Sequence, residues 1–264
     1  MKCDGDPGSI ADLRAQRAGL QSLAGMTGFT LPPPYRVVRL APGRSAFAEA
    51  RAAAKAGEDE GVIFWVDRAE RLEFALTLKP DRPRRETMPV IYIAALAFAD
   101  ALGAFAPPPS PIGFGWPGDI LVDGGVVGGL SLALASSAAE AVPAWAVLGF
   151  DLAVGAGAGE PGHKPTRTCL AEEGFEGFSA VAQIEGFSRH FLAWLNRWDR
   201  DGLATIAAEW SRRAFTPLAP TIALPEGVAT LLGLDEAGDL RVRQNGCECT
   251  LSLEVALASA AVHG

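Results

Sequence analysis

Residues 114–130 read Phe114-Gly115-Trp116-Pro117-Gly118-Asp119-Ile120-Leu121-Val122-Asp123-Gly124-Gly125-Val126-Val127-Gly128-Gly129-Leu130. An Asp-Gly-Gly triplet between two β-branched runs is a tight-turn signal, so this stretch predicts a β-hairpin turning at Asp123-Gly124-Gly125. One arm carries Trp116, Pro117 and Asp119; the other carries Gly128 and Gly129. A glycine pair inside a strand marks either a bulge or a place where a ligand or another backbone comes close. Asp119 either points into a pocket or braces the turn. Trp116 and Phe114 either wall a pocket or pack in a core.

Working outward, Tyr35–Ala41 reads as a strand. Pro42-Gly43 turns the chain, and Ser45 caps a helix running to about Ala56. The runs 61–67 and 72–78 are apolar, β-branched and aromatic, and predict two strands joined by a short turn containing Arg68 and Arg71. Residues 88–106 are apolar with one charge, Asp100, and Pro107-Pro108-Pro109 ends them. An aspartate at mid-bilayer costs about 2.5–3.5 kcal/mol, and strands flank the segment on both sides, so a buried core helix is expected rather than a membrane span. Beyond the hairpin, 144–154 reads as a strand and 155–165 as a glycine-rich loop. Residues 179–213 carry helical periodicity broken at Asp201-Gly202. Phe187, Phe191, Trp194 and Trp198 fall on one helix face, the pattern of core packing. Pro217 and Pro220 mark a linker, and short strands with turn text follow. Three parts are therefore expected: a poorly ordered extension over 1–34, a core over 35–216, and a small all-β unit over 221–264.

The chain has 264 residues, ample for a substantial core. Its 31 acidic residues against 23 basic ones leave a net charge of −8, which gives no bulk field for nucleic acid or an anionic membrane. Four cysteines and no export-type start suggest reduced thiols in a cytoplasm. His163, His190 and His263 have no partner at metal spacing. Cys247 and Cys249 share a strand face without further ligands, so no metal is expected. No phosphate loop of the Gly-Lys-Ser/Thr type and no Gly-x-Ser-x-Gly elbow occur.

The ordered set of these features resembles the biotin–protein ligases and their lipoate ligase relatives. In that family a Lys-Trp-Pro-Asn-Asp strand leads through a hairpin into a glycine-containing strand. Trp116, Pro117 and Asp119 match the first motif, Gly129 the glycine after the hairpin, and Gly149 a later strand glycine. RWDRDGLATIAAEW (197–210) is similar to the late helices, and LLGLDEAGDLRVR (231–243) to the small C-terminal barrel. The resemblance spans about 35–260. It implies an α+β fold: a mixed β-sheet packed with helices (a class II synthetase-like ligase core) plus a small C-terminal β-barrel. It also implies ATP-dependent joining of biotin or lipoate to AMP, then transfer of the acyl group to a lysine of a carrier protein.

The sequence departs from the family where anionic charge must be held. Gly115 stands at the lysine position and Gly118 at the asparagine. The Gly/Arg loop is reduced to Asp67–Glu73, without glycine. Val126 replaces a lysine after the hairpin, and Ala153 an asparagine. Each lost donor to a developing anion typically costs about 3–4 kcal/mol. The expectation is a divergent relative that binds a small carboxylic acid or acyl group, with ligase activity weak or lost. Expected ligand-binding residues are Trp65, Arg68, Arg71, Phe114, Trp116, Asp119, Gly128 and Gly129. Arg68 and Arg71 either substitute for the missing loop or form a solvated turn. Biotin, lipoate or an acyl-adenylate is the implied ligand, and an acyl carrier protein the implied partner. The alternative is a non-catalytic interaction scaffold, with a homodimer among the assemblies open to it. A minor reading is acyl transfer through Cys169 with Lys164 nearby.

Overall fold

Alternation along two neighbouring strands sets the architecture of the computed structural model, which describes residues 28–135, 138–155, 167–214, 221–224 and 227–263. In β3 (Arg71–Leu78), Leu72, Phe74 and Leu76 alternate with Arg71, Glu73, Ala75 and Thr77. In β7 (Ala146–Ala153), Leu148, Phe150 and Leu152 alternate with Val147, Gly149, Asp151 and Ala153. The strands pair antiparallel with Phe74 opposite Phe150 and Glu73 opposite Asp151. Every aromatic and leucine therefore lands on one face, and the charges land on the other.

These strands centre a seven-stranded sheet, order β1-β2-β3-β7-β6-β5-β4. Its other strands are β1 (Arg36–Leu40), β2 (Val62–Val66), β4 (Ile112–Gly115), β5 (Asp119–Val122) and β6 (Gly125–Leu134). Only β1 and β2 run parallel. Helix α1 (Ala46–Lys55) covers one face, with Ala46, Ala50 and Ala54 buried against β2, β3 and β7. Its alanine stripe brings the helix close to the strands, and the Ser45 hydroxyl accepts from the Ala48 N–H to cap it.

The opposite face carries the main core. A short α2 (Arg84–Thr87) leads into α3 (Val90–Leu102), which is buried nearly all round, and α4 (Ala180–Asp201) packs along it. Gly186 of α4 leaves only enough space for Ala101 of α3, since a Cβ there would lie 3.0 Å from the Ala101 Cβ. Phe74 stacks on Phe150 at 4.3 Å between ring centres, and Phe187 meets Phe150 edge-on at 4.7 Å. Phe98 and Phe191 extend the cluster. As expected, Phe187, Phe191, Trp194 and Trp198 share the buried face of α4. Asp100, the charge that argued against a membrane span, accepts from the Trp194 indole N–H and the Arg213 guanidinium, both at 2.7 Å. No helix among the described residues is long and apolar enough to cross a membrane. Helix α5 (Leu203–Ala214) follows the break at Gly202 and buries Trp210 against Tyr92 and Phe114.

The C-terminal unit is a four-stranded antiparallel sheet, order β11-β10-β9-β8, built from β8 (Thr221–Leu224), β9 (Gly227–Leu234), β10 (Leu240–Gln244) and β11 (Cys247–Leu251). It stays open where a barrel was expected, because β8 and β11 do not pair and four short strands are too few to close. The chain then forms α6 (Leu253–His263), where an all-β ending was expected. Its alanine-rich text lacks strand alternation and favours helix. The Asp239 carboxylate accepts from the Leu253 N–H at the start of that helix. The sheet docks through Tyr92, whose hydroxyl donates to the Gly238 carbonyl at 2.6 Å and accepts from the Trp116 indole at 2.9 Å. Burial pushes this phenol far above the usual tyrosine range.

Of the N-terminal segment 1–34, residues 1–27 lie outside the described part. Phe29 packs edge-on against Trp65 at 5.2 Å. Truncating Phe150 to alanine removes the centre of the aromatic cluster and is expected to cost about 3–5 kcal/mol. Denaturant unfolding should show this as a lower midpoint with an unchanged slope.

Candidate functional site

Register across the sheet assembles a polar row on the α1 face. Glu73 lies opposite Asp151, Asp151 opposite Gly129, Gly129 opposite Asp119, and Asp119 opposite Gly115. Residues directly opposite in neighbouring strands point to the same face. Helix α1 covers β2, β3 and β7, whereas Gly115, Leu121, Gly129 and Ser131 on the adjoining strands remain partly accessible. The result is a partly accessible floor, with Asp119 and Leu121 packed over Gly115, bounded by the N-terminus of α1 on one side and the Trp116-Pro117-Gly118 turn on the other. Phe47 of α1 borders it; a Cβ on Gly149 would lie 2.6 Å from that ring, so only glycine fits beneath it.

Two arginines at the β3 end of this face, Arg68 and Arg71, are each paired with a carboxylate. The Arg71 Nε and Nη2 both donate to the Asp151 carboxylate. That bond, more than the opposing effect of burial, raises the basicity of Arg71 further. Arg68 Nη2 donates to the Arg44 carbonyl at 3.1 Å and lies 3.5 Å from Glu73. The other Glu73 oxygen accepts from the Ala46 N–H at 2.7 Å, at the start of α1. Asp119, at the outer end of the row, has its pKa raised by partial desolvation of its carboxyl, against the pull of Arg167.

The hairpin turns at Asp123-Gly124, both with positive φ, as its sequence predicts. The structure adds β4, which pairs back onto β5 and creates the second turn at Trp116–Gly118. The register slips between Ile120 and Leu121, so Val127 forms a bulge beside the glycine pair. A Cβ on Gly128 would lie 2.1 Å from the Asp151 carbonyl oxygen, so Gly128 serves close strand approach. Gly129 faces the floor, with the Gly118 carbonyl oxygen 3.2 Å from where its Cβ would stand.

Of the residues expected from sequence, Arg68, Arg71, Asp119 and Gly129 come together along this face. Trp65, Phe114 and Trp116 sit on the other side of the sheet, in contact with the helix-packed core. Trp65 meets Phe29 and lies under the Arg39 guanidinium, Phe114 stacks on Trp210, and Trp116 bonds to Tyr92. Sequence reasoning missed Glu73, Asp151 and Ser131. The signal was present in the polar positions that break into the apolar alternation of LEFALTL and LGFDLAV. Cys169 is buried, and Lys164 lies outside the described residues, as does His163. No cluster of three metal-ligating groups occurs among the described residues.

A mixed sheet with helices on both faces, a Trp-Pro turn, a glycine hairpin and a smaller C-terminal sheet define the architecture of a biotin-ligase-like protein. The sequence model of the biotin/lipoate A/B protein ligase family matches residues 31–212, and the chain belongs to that family. It is 32% identical over 213 residues to the biotin–[acetyl-CoA-carboxylase] ligase of Paracoccus denitrificans, covering 78% of this chain and 88% of that protein. A biotin protein ligase-like protein of unknown function from Silicibacter sp. TM1040 superposes with a TM-score of 0.78 at 30% identity, covering 86% of this chain and 98% of that one. The Aquifex aeolicus biotin protein ligase in complex with biotin and ATP shares the fold, with a TM-score of 0.65 at 15% identity over 81% of this chain and 94% of that one.

The raised pKa of Asp119 fixes the sign of a pH effect. A carboxyl whose folded pKa exceeds its unfolded value destabilises the fold once ionised, so stability falls as pH rises through the folded pKa. Asp119→Asn is expected to melt above the wild type at neutral pH. The difference should vanish below about pH 3, where both states of the wild type are protonated. Calorimetric melting at the two pH values checks this.

Proposed function

We propose that this chain is a divergent biotin/lipoate ligase-like protein that binds a small carboxylic acid or its acyl group on the floor over β5 and β6. Its ATP-dependent ligase activity is weak or lost. The observation that carries this reading is the seating of Arg71 on Asp151 within the polar row. A nucleotide phosphate needs prearranged cations and donors. Here the Arg71 guanidinium is already paired with a carboxylate of the same face. Gly115 and Val126 also stand where the family resemblance places lysines.

Binding of a small ligand draws support from the partial accessibility of Leu121, Gly129 and Ser131 on this face, which α1 does not cover. Arg68, Arg71, Asp119 and Gly129 line it in this reading. Gly128, Trp65, Phe114 and Trp116 hold it from behind. The Paracoccus relative's name gives biotin and acetyl-CoA carboxylase, and by analogy the ligand here is biotin, lipoate or a similar acid, with an acyl carrier protein as partner. The free thiols of Cys169, Cys247 and Cys249 suit a reducing cytoplasm.

A second reading, a non-catalytic scaffold, is favoured by β11. It is an edge strand whose first four residues are exposed, and such an edge can accept a strand from a second copy. Calorimetry separates the two. Titrating biotin, lipoate and octanoate should give saturable heat for at least one acid and none for ATP. Flat heats for all three acids, with a dimer seen by light scattering, would favour the scaffold.

A further inference from the structure

The C-terminal sheet carries two exposed free cysteines, Cys247 and Cys249, that the floor on the main sheet does not use. They stand two residues apart on β11, so both side chains leave the strand on the same side. The register sets them opposite Gln244 and Val242 of β10, on the side where Leu240 and Val242 are buried. Glu248, between them, leaves on the other side, where it accepts from Arg243 at 2.6 Å and from Arg241 at 3.1 Å. The one carboxylate of the run is thus turned away and already paired, and the two sulfurs share their side of β11 without a hard oxygen donor between them. Among the described residues no third metal-ligating side chain joins them. Cys169 is buried elsewhere.

Spacing decides what such a pair can do. A rise of about 3.3–3.4 Å per residue puts the two Cα atoms about 6.6–6.8 Å apart, with nearly parallel Cβ directions. A disulfide needs Cβ atoms about 3.5–4.5 Å apart, so the pair stays a dithiol unless the strand deforms. One ion between two thiolates spans about twice a metal–sulfur bond of roughly 2.3 Å, a separation that rotation about the two χ1 bonds reaches with the backbone unmoved. Two ligands cannot complete the tetrahedral shell that zinc takes. Thiolates are soft and select cuprous copper, whose filled d shell is satisfied by two collinear ligands. We propose that Cys247 and Cys249 form a two-coordinate site for cuprous copper on the C-terminal sheet. Binding releases the two thiol protons to solvent, forms two copper–sulfur bonds and changes no oxidation state.

The test titrates the full chain, reduced and under anaerobic conditions, against the cuprous bicinchoninate complex, whose colour reports the copper withdrawn. The wild type should take one copper per chain and hold it in millimolar glutathione, because a chelating pair outcompetes single thiols. Cys247→Ser and Cys249→Ser should each weaken binding by at least about a hundredfold, since loss of an outer-shell partner alone costs roughly 10–100-fold. Both side chains are exposed, so serine leaves the packing in place, and unchanged melting of the copper-free variants checks this. Cys3→Ser, outside the described residues, should alter neither stoichiometry nor affinity. No copper withdrawn by the wild type, its loss to glutathione, or equal uptake by either of the Cys247 and Cys249 variants overturns the proposal. X-ray absorption on the loaded chain reads the coordination directly. Two sulfur neighbours are expected; a third neighbour, or any oxygen or nitrogen bound to the metal, overturns the assignment.

Discussion

The stacking of Phe74 on Phe150 is the contact on which the rest depends. Strand side chains alternate with a period of two, so fixing this pair on the helix face fixes Glu73 and Asp151 opposite each other on the α1 face. A slip of one residue would put two carboxylates into the aromatic core and two phenylalanines into the cleft. The hydrophobic burial of Phe98, Phe187 and Phe191 against the pair therefore does more than stabilise the fold. It determines which charges lie on the α1 face.

Those charges pair among themselves. Glu73 is joined to Arg68 and the α1 terminus, Asp151 to Arg71, and Asp119 feels Arg167. The chain keeps the family scaffold, and on this face its carboxylates and arginines sit in mutual contact. On the far side, Trp116 bonds to Tyr92, and Tyr92 to the C-terminal sheet, so the turn that closes one end of the floor is anchored through the core to the second sheet.

Much of the fold was legible because its signals are local. Ser45 before an alanine-rich run, Asp123-Gly124 between β-branched runs, and aromatics at helical spacing in 187–198 each state their own structure. The family followed from Trp116, Pro117, Asp119 and Gly129 in order. The open form of the C-terminal sheet and α6 were not legible: barrel closure depends on a pairing between β8 and β11 that no local pattern encodes, and 253–263 has no alternation to read. The polar row on the α1 face was legible in part. Arg71 and Asp119 stood out as charges near a motif. Trp65, Phe114 and Trp116 looked like pocket walls because large aromatics serve cores and pockets alike, and only the strand register separates the two. Glu73 and Asp151, distant in sequence, become one feature only when β3 and β7 pair.

The central claim is that the charges of this face are satisfied internally and leave no place for a nucleotide anion. Its most direct measurement is the exchange of labelled pyrophosphate into ATP in the presence of biotin, lipoate or octanoate. The account predicts exchange at the level of a protein-free control with each acid. Rapid exchange dependent on any one of them would contradict it.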